Sequence, residues 1–349
     1  NRLSHLHVWK ADDLNVRAVF RLSLVHLTAP EHRTFASLAA CAASGFKQVA
    51  AAFTAGLDQA TADAHLDRLF HLALLSYDPD IQRFRFHSLL RLFAEEEAKG
   101  KSLWSQAGEK HASFFETYVG ERQNLTSQDL YELEAEKDAL LLTARWKIEH
   151  EDLGLGILFW DVVSRLLEIR GYWELGIELM QDCLKVAEHT HADAQAAFFY
   201  RQLGKYQLSL GRIQEAIISY RRSLAISEEL GDELLIAQAL NSLAAALREA
   251  RQADEAISCA QRSLALSQKL EDQFQTAKAG NSLGMVLLQK KQYREAIALL
   301  QDGLALLESG EQRRIAKAST MLGIGYRRGG RLDEAIRAFE RSLVIEKHI

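Results

Sequence analysis

Apolar residues recur along almost the whole chain at the three- and four-residue spacing of amphipathic α-helices. In the C-terminal half this helical pattern itself repeats. The tripeptide Glu-Ala-Ile begins at Glu215, Glu255, Glu295 and Glu334, with spacings of 40, 40 and 39 residues. A helical hairpin of this length cannot bury its own apolar face, so the pattern predicts stacked helix pairs that form an α-solenoid.

Small and large apolar residues alternate between the two helices of each predicted pair. The second helices carry Ala216, Ala256, Ala296 and Ala335, which would allow close approach, and the first helices carry Leu203, Leu243, Leu283 and Leu322. A weaker copy, GYWELGI at 171–177, places Gly176 at the alanine position. We therefore expect five helix pairs over residues 155–349.

The spacing of the large and small residues resembles that of tetratricopeptide repeats. It is met by Tyr200, Leu203-Gly204, Ala216 and Tyr220, and again around Leu322-Gly323. The resemblance implies a right-handed α-solenoid in which the first helix of each pair lines the concave face. On that face, helical spacing predicts a basic groove with interleaved amides: Arg201, Lys205, Asn241, Arg248, Lys278, Asn281, Lys317, Arg327 and Arg328.

Such a groove has a chemistry that suits a peptide. Asparagine bonds both the N–H and the C=O of an extended backbone, and lysine or arginine binds a carboxylate. The expected partner is therefore a protein, an acidic or C-terminal peptide, or a small inducer. The alternative is an ordinary solvated helix face, because charged residues are common on helix surfaces.

The N-terminal residues follow a different pattern. Helices are predicted over 15–27, 30–42, 47–53 and 58–75, followed by two short strands, LLSYD and RFRFH, around Asp78-Pro79-Asp80. A further helix is predicted to begin at Ser88 as N-cap. Helices followed by a small hairpin indicate a mainly α winged-helix domain over residues 1–101, with a helical connector over 102–154.

The order of these two regions resembles that of the signal-transduction ATPases with numerous domains (STAND), of the NB-ARC type. Phe86-His87-Ser88 is similar to the family's Met-His-Asp motif, with Ser88 in place of aspartate. The resemblance implies that His87 contacts the β-phosphate of ADP, that the winged helix holds the ADP-bound resting state, and that the repeats bind an inducer. The alternative for His87 is a partly buried histidine that caps the wing.

The chain lacks the phosphate-binding loop that this family uses. Gly204-Lys205 has Phe199 where the loop needs glycine and Tyr206 where it needs serine or threonine. We therefore expect no enzyme activity, catalytic residue, metal or cofactor in this chain. ADP or ATP with Mg would belong to a longer protein, in which the nucleotide-binding domain lies upstream of Asn1.

Composition and charge narrow the remaining possibilities. The 42 basic and 47 acidic residues are mixed along the chain, and the helix before the predicted wing carries Asp58, Asp63 and Asp67. Because an acidic helix repels phosphate, we expect no DNA binding. The three cysteines are far apart, and no apolar stretch is long enough to span a membrane. We expect a cytoplasmic protein.

Two functions are thus left open by the sequence. The first is the regulatory and sensor portion of a STAND-type ATPase switch. The second is a stand-alone tetratricopeptide scaffold for protein–protein interaction, in which the N-terminal domain is only a cap or a partner surface.

Overall fold

The computed structural model describes residues 13–154, 157–307 and 312–348. This part of the chain is mainly helical and divides into two compact units. The first unit comprises the residues up to Gln123 together with Tyr131–Asp152. The second comprises Asn124–Leu130 and the residues from Leu153 onward. The first twelve residues of the predicted winged-helix domain, and the predicted start of the repeats at residue 155, lie outside the described residues.

The first unit is built from helices and one small hairpin. Its elements are α1 (Asp13–Leu24), α2 (Ala29–Ser37), a 3-10 turn (Leu38–Ala40), α3 (Gln48–Ala55), α4 (Gln59–His71), β1 (Ser76–Asp78), β2 (Arg83–Arg85), α5 (Ser88–Gly100), α6 (Leu103–Gly120) and α8 (Lys137–Glu149). Between α6 and α8 lies α7 (Ser127–Ala135), whose residues are divided between the two units. Helices α6 and α8, which fall in the predicted connector, pack within the first unit.

The predicted order of helices followed by a hairpin is confirmed, but the hairpin is small. Strands β1 and β2 pair antiparallel over three residues each, with Tyr77 opposite Phe84, and Phe46 forms an isolated bridge to Phe84. A hairpin of this size does not by itself identify a winged-helix domain. The helix after it begins one residue earlier than predicted: His87, with an extended backbone, is the N-cap, and Ser88, the predicted N-cap, is the first helical residue.

Aromatic residues fill the core of the first unit. The rings of Phe35 and Phe86 meet edge to face with centroids 5.5 Å apart, and Phe46 lies against Phe86. The side chain of Arg83, at the start of β2, is buried. It donates to the carbonyl of Gly45 (3.1 Å) and to Glu136 Oε1 (2.6 Å), so its charge is paired.

The second unit contains the five predicted helix pairs. They are α9 (Leu158–Ile169) with α10 (Trp173–His189), α11 (Asp193–Ser209) with α12 (Ile213–Leu230), α13 (Glu233–Glu249) with α14 (Ala253–Lys269), α15 (Gln273–Gln289) with α16 (Tyr293–Leu307), and α17 (Gln312–Arg328) with α18 (Leu332–His348). Each helix packs on the next one in sequence, and the first helices of neighbouring pairs also pack together from α11 to α17. This arrangement is a repeat solenoid.

The small residues in the repeat have the predicted role. Ala216, Ala256 and Ala296 are fully buried, and Ala335 is nearly so. A serine in the second helix also donates to a carbonyl of the first helix in three pairs: Ser223 to Ala197, Ser263 to Ala237 and Ser342 to Ala316, at 2.7 to 2.9 Å. In the fourth pair, Gly303 stands at the serine position.

Within the described residues no helix is both long and apolar enough to cross a membrane.

Candidate partner-binding groove

The predicted groove residues all lie on the first helices of successive pairs. Arg201 and Lys205 are on α11, Asn241 and Arg248 on α13, Lys278 and Asn281 on α15, and the remaining three on α17. Because α11, α13, α15 and α17 pack side by side, side chains from different repeats can meet on one surface. The structure brings some of them together and separates others.

Lys278 lies at the centre of a basic cluster. Its side chain is partly exposed, yet protein surrounds it, and the positive charges of Arg201, Lys205 and Lys317 act on it. Burial, followed by these three charges, lowers the pKa of Lys278 to about 7. Lys278 is therefore balanced between its charged and neutral forms near neutral pH, which makes it sensitive to any further charge.

Two carboxylates from α9 partly compensate the cluster. Glu168 forms an ion pair with Lys205 and also favours the charged form of Lys278. Asp161 acts on Arg201, whose pKa is lowered mainly by burial. Basic side chains nevertheless outnumber carboxylates here, so this surface attracts anions although the chain carries a net charge of -5.

The cluster continues into two cavities beside α17. The first, of about 410 Å³, is lined by residues of α9, α10, α11 and α17: Arg165, Glu168, Ile169, Trp173, Ser209, Arg313, Arg314 and Lys317. The second, of about 510 Å³, shares Arg313 and Lys317 and adds Ser127, Ala316, Thr320 and Glu346. The first and last helix pairs therefore line a common cavity. This places charged groups from distant parts of the sequence around one opening.

The arginines at the start of α17 are held by specific contacts. Arg313 donates to Ser127 Oγ at 3.1 Å. The guanidinium carbon of Arg314 lies 3.8 Å from the ring centroid of Phe274, which is a cation–π contact. Both side chains are thus positioned in the absence of a ligand. An anionic ligand would therefore pair with them at a smaller loss of side-chain conformational entropy.

Asn241 and Asn281 do not lie on the groove surface as predicted. Both are buried, with 4% and 6% of their surface exposed, and the Oδ1 atom of each has no hydrogen-bond partner among the described residues. The Asn281 amide fills the space beside Gly303, where an added Cβ would lie 2.5 Å from Oδ1. The prediction was wrong in orientation because helical spacing alone does not separate the surface from the edge of the helix–helix contact.

The other predicted basic residues lie apart from Lys278. Arg248 is half-buried and pairs with Glu249 at 2.6 Å. Arg327 and Arg328 are exposed in the last turn of α17. None of the three is among the groups whose charge shifts the pKa of Lys278 most.

Several groove residues were missed by the sequence reasoning. Glu168, Arg165 and Trp173 belong to the first helix pair, whose match to the repeat is weak. The residues of this pair that face the groove were therefore not predicted. Arg313 and Arg314 occupy the positions of Phe274 and Gln275 in the preceding repeat, where no basic pattern recurs. The two adjacent arginines in the run Gln312-Arg313-Arg314 were the feature of the sequence that could have indicated a basic site at the start of α17.

His87 lies at the start of α5 in the first unit. It is exposed rather than partly buried, and its side chain makes no capping hydrogen bond. An exposed imidazole at this place is accessible to a ligand.

Within the described residues, no group of three or more His, Cys, Asp or Glu side chains is arranged to hold a metal ion.

Comparisons with known proteins bear on the second unit. Models of the tetratricopeptide repeat match residues 198–230, 235–309 and 318–348. A crystal structure of BtubC (BKLC) from P. vanneervenii is similar with a TM-score of 0.50 and 22% identity, covering 63% of this chain and 91% of that one. A Rap protein complexed with Competence and Sporulation Factor has a TM-score of 0.50 and 15% identity, covering 69% and 76%. The sequence has no match among curated proteins.

These likenesses establish the fold of the repeats. The C-terminal region carries tetratricopeptide repeats and has the solenoid arrangement of its structural neighbours. They give no support for a winged-helix domain or for membership of the STAND ATPases.

Proposed function

We propose that this chain is a protein-binding scaffold whose repeats hold an acidic segment of a partner on the surface around Lys278. The observation that carries the proposal is that the charges of Arg201, Lys205 and Lys317 act together on Lys278, so that basic groups of three different repeats lie on one surface. Lys317 also lines a partly open cavity together with Arg313 and Arg314. A structural neighbour with the same fold was solved with a bound factor, which agrees with this use of the fold. The scaffold alternative of the sequence reasoning thus has the better support.

The arrangement favours a flexible acidic peptide over a single ion. The basic groups are distributed over α11, α15 and α17 and continue past Arg313 and Arg314 into two cavities. A segment with several carboxylates can contact several of these groups at once, whereas a monovalent ion contacts one or two. Such complementarity increases the association rate and makes affinity decrease with salt.

Charge reversal within the cluster tests the proposal. We expect Lys278→Glu with Lys317→Glu to weaken binding of a rhodamine-labelled hexaglutamate peptide by about tenfold or more, because two attractive charges become repulsive. Fluorescence anisotropy measures the affinity, and circular dichroism verifies that helix content is unchanged.

The matched control reverses two exposed charges on second helices, Arg222 on α12 and Arg337 on α18. It makes the same change in net charge away from the cluster and should retain most of the affinity. Equal losses in both variants would show that only net charge matters and would refute a groove at Lys278.

A second candidate function is the STAND-type switch, in cytoplasmic signalling. The exposure of His87 directly after the hairpin is compatible with a phosphate contact, and ADP or ATP with Mg would then bind in a longer protein. The test uses a longer protein that contains both this chain and a nucleotide-binding domain: His87→Ala should release co-purified ADP, and full retention of ADP would count against the role. The exposed His71 provides the control substitution.

A further inference from the structure

Glu168 is a carboxylate placed inside a basic cavity. It lines the opening shared with Arg165, Arg313, Arg314 and Lys317, and pairs with Lys205. Its side chain is 31% exposed and that of Lys205 is 37% exposed, so solvent and ligands reach the pair. The pair joins α9 of the first repeat to α11 of the second.

An incoming acidic group would meet this carboxylate at close range. Two carboxylates near one lysine repel each other, and the internal one has the advantage that no translational entropy is lost on pairing. An exposed ion pair contributes little, about 0–1 kcal/mol, so its replacement is feasible. Glu168 therefore occupies the place that a ligand carboxylate would take.

We propose that Glu168 is an internal competitor for the acidic peptide segment: one peptide carboxylate replaces Glu168 at Lys205, and the further carboxylates of the segment draw a proton onto Lys278. This inference rests on the proposed function, since it describes how the same groove admits its partner. It adds a regulatory contact and a proton to the binding reaction.

The proton follows from the groups around Lys278. Arg201 and Lys205 act on it from α11, Lys317 from α17 and Glu168 from α9, while α13 places the uncharged Gln238 at the matching position. The pKa of Lys278 is about 7. The carboxylate that replaces Glu168 leaves the local charge unchanged, whereas the further carboxylates of the segment add negative charge and raise this pKa. Binding therefore takes up protons, and affinity decreases as pH rises through about 7.

Removal of the competing charge is the direct test. We expect Glu168→Gln to bind the labelled hexaglutamate peptide about 2- to 5-fold more tightly than the unsubstituted chain, at fixed ionic strength. The control is Glu174→Gln, which removes another carboxylate that pairs between neighbouring repeats, at 2.6 Å from Arg212. Glu174 does not line the cavity, so its substitution should leave the affinity almost unchanged.

The predicted proton uptake by Lys278 is tested by a second substitution. The affinity of the unsubstituted chain should fall about tenfold between about pH 6 and about pH 8.5, because Lys278 loses its charge over that interval. Lys278→Arg keeps the charge at every pH and should bind with a much flatter pH profile. Lys290→Arg, on the exposed end of α15, should keep the original profile.

Calorimetry provides a measurement on the unsubstituted chain. Titrations in buffers of different ionisation enthalpy should show net proton uptake near pH 7. If the peptide binds but Glu168→Gln is no tighter and no protons are taken up, the inference fails and the groove stands. If no binding is seen at any pH, the proposed function fails together with the inference.

Discussion

At the residue scale, His111 shows what burial does to a titratable group. It lies on α6 with 3% of its surface exposed, beside the Phe115 ring and 3.4 Å from Thr143 Oγ1. Burial, with a smaller effect of Arg91, lowers its pKa to about 4. The side chain is therefore neutral in the folded state at neutral pH and must be exposed to become charged.

This burial predicts a loss of stability in acid. Between about pH 6.5 and pH 4 the unfolded state binds the additional proton, so the free energy of opening α6 should fall by about 2–3 kcal/mol as pH decreases. Above pH 6.5 the contribution should be constant. Hydrogen exchange of the α6 amides, corrected for intrinsic rates, measures this free energy.

His111→Gln removes the titrating group and should flatten that dependence, whatever its effect on the absolute stability. The exposed His71 serves as control, because His71→Gln should leave the slope unchanged. A steep acid dependence that persists in His111→Gln would assign the effect to other groups.

At the element scale, the repeat could be predicted because its packing is periodic. Small residues recur where an aromatic ring must fit: an added Cβ at Gly176 would lie 2.5 Å from the Tyr206 ring, and one at Gly323 would lie 2.7 Å from Phe339. Spacing of this kind is visible in the sequence, and the helix pairs follow from it. The predicted pairs are accordingly confirmed from α9 to α18.

The first unit has no such period, and its packing could not be predicted. The pattern predicted its helices and its hairpin, but not that the buried Arg83 would bond to Glu136, 53 residues later. Contacts of this kind depend on tertiary placement rather than on local spacing. For the same reason the assignment of α6 and α8 to the first unit could not be predicted from their local pattern.

At the scale of the whole molecule, charge is separated within an acidic chain. The net charge is -5, yet Lys278 is surrounded by Arg201, Lys205 and Lys317. The sequence identified these four residues from helical spacing, because long basic side chains recur on one side of the first helices. It misplaced Asn241 and Asn281 and omitted Glu168, since these depend on the fit between helices.

A cluster of like charges has a cost in stability, because the charged form of Lys278 is disfavoured by the fold. The pKa of Lys278 is about 7 when folded and has an ordinary value of 10.5. The unfolded state therefore binds more protons between these values, and the contribution of Lys278 to stability rises with pH from about 7 to about 10.5. Below about pH 7 the full cost of the charge is present.

Replacement of Lys278 by an uncharged side chain should therefore stabilise the solenoid while weakening binding. We expect Lys278→Met to raise the free energy of unfolding by about 1–2 kcal/mol near pH 6, with the gain disappearing as pH approaches 10.5. Urea denaturation across this pH range measures the gain. Lys290→Met is the control, because it removes the lysine at the C-cap of α15, which pairs with Asp254 at 2.7 Å. A gain that does not depend on pH would indicate better packing of methionine rather than release of charge, and would show that the basic groove imposes no stability cost.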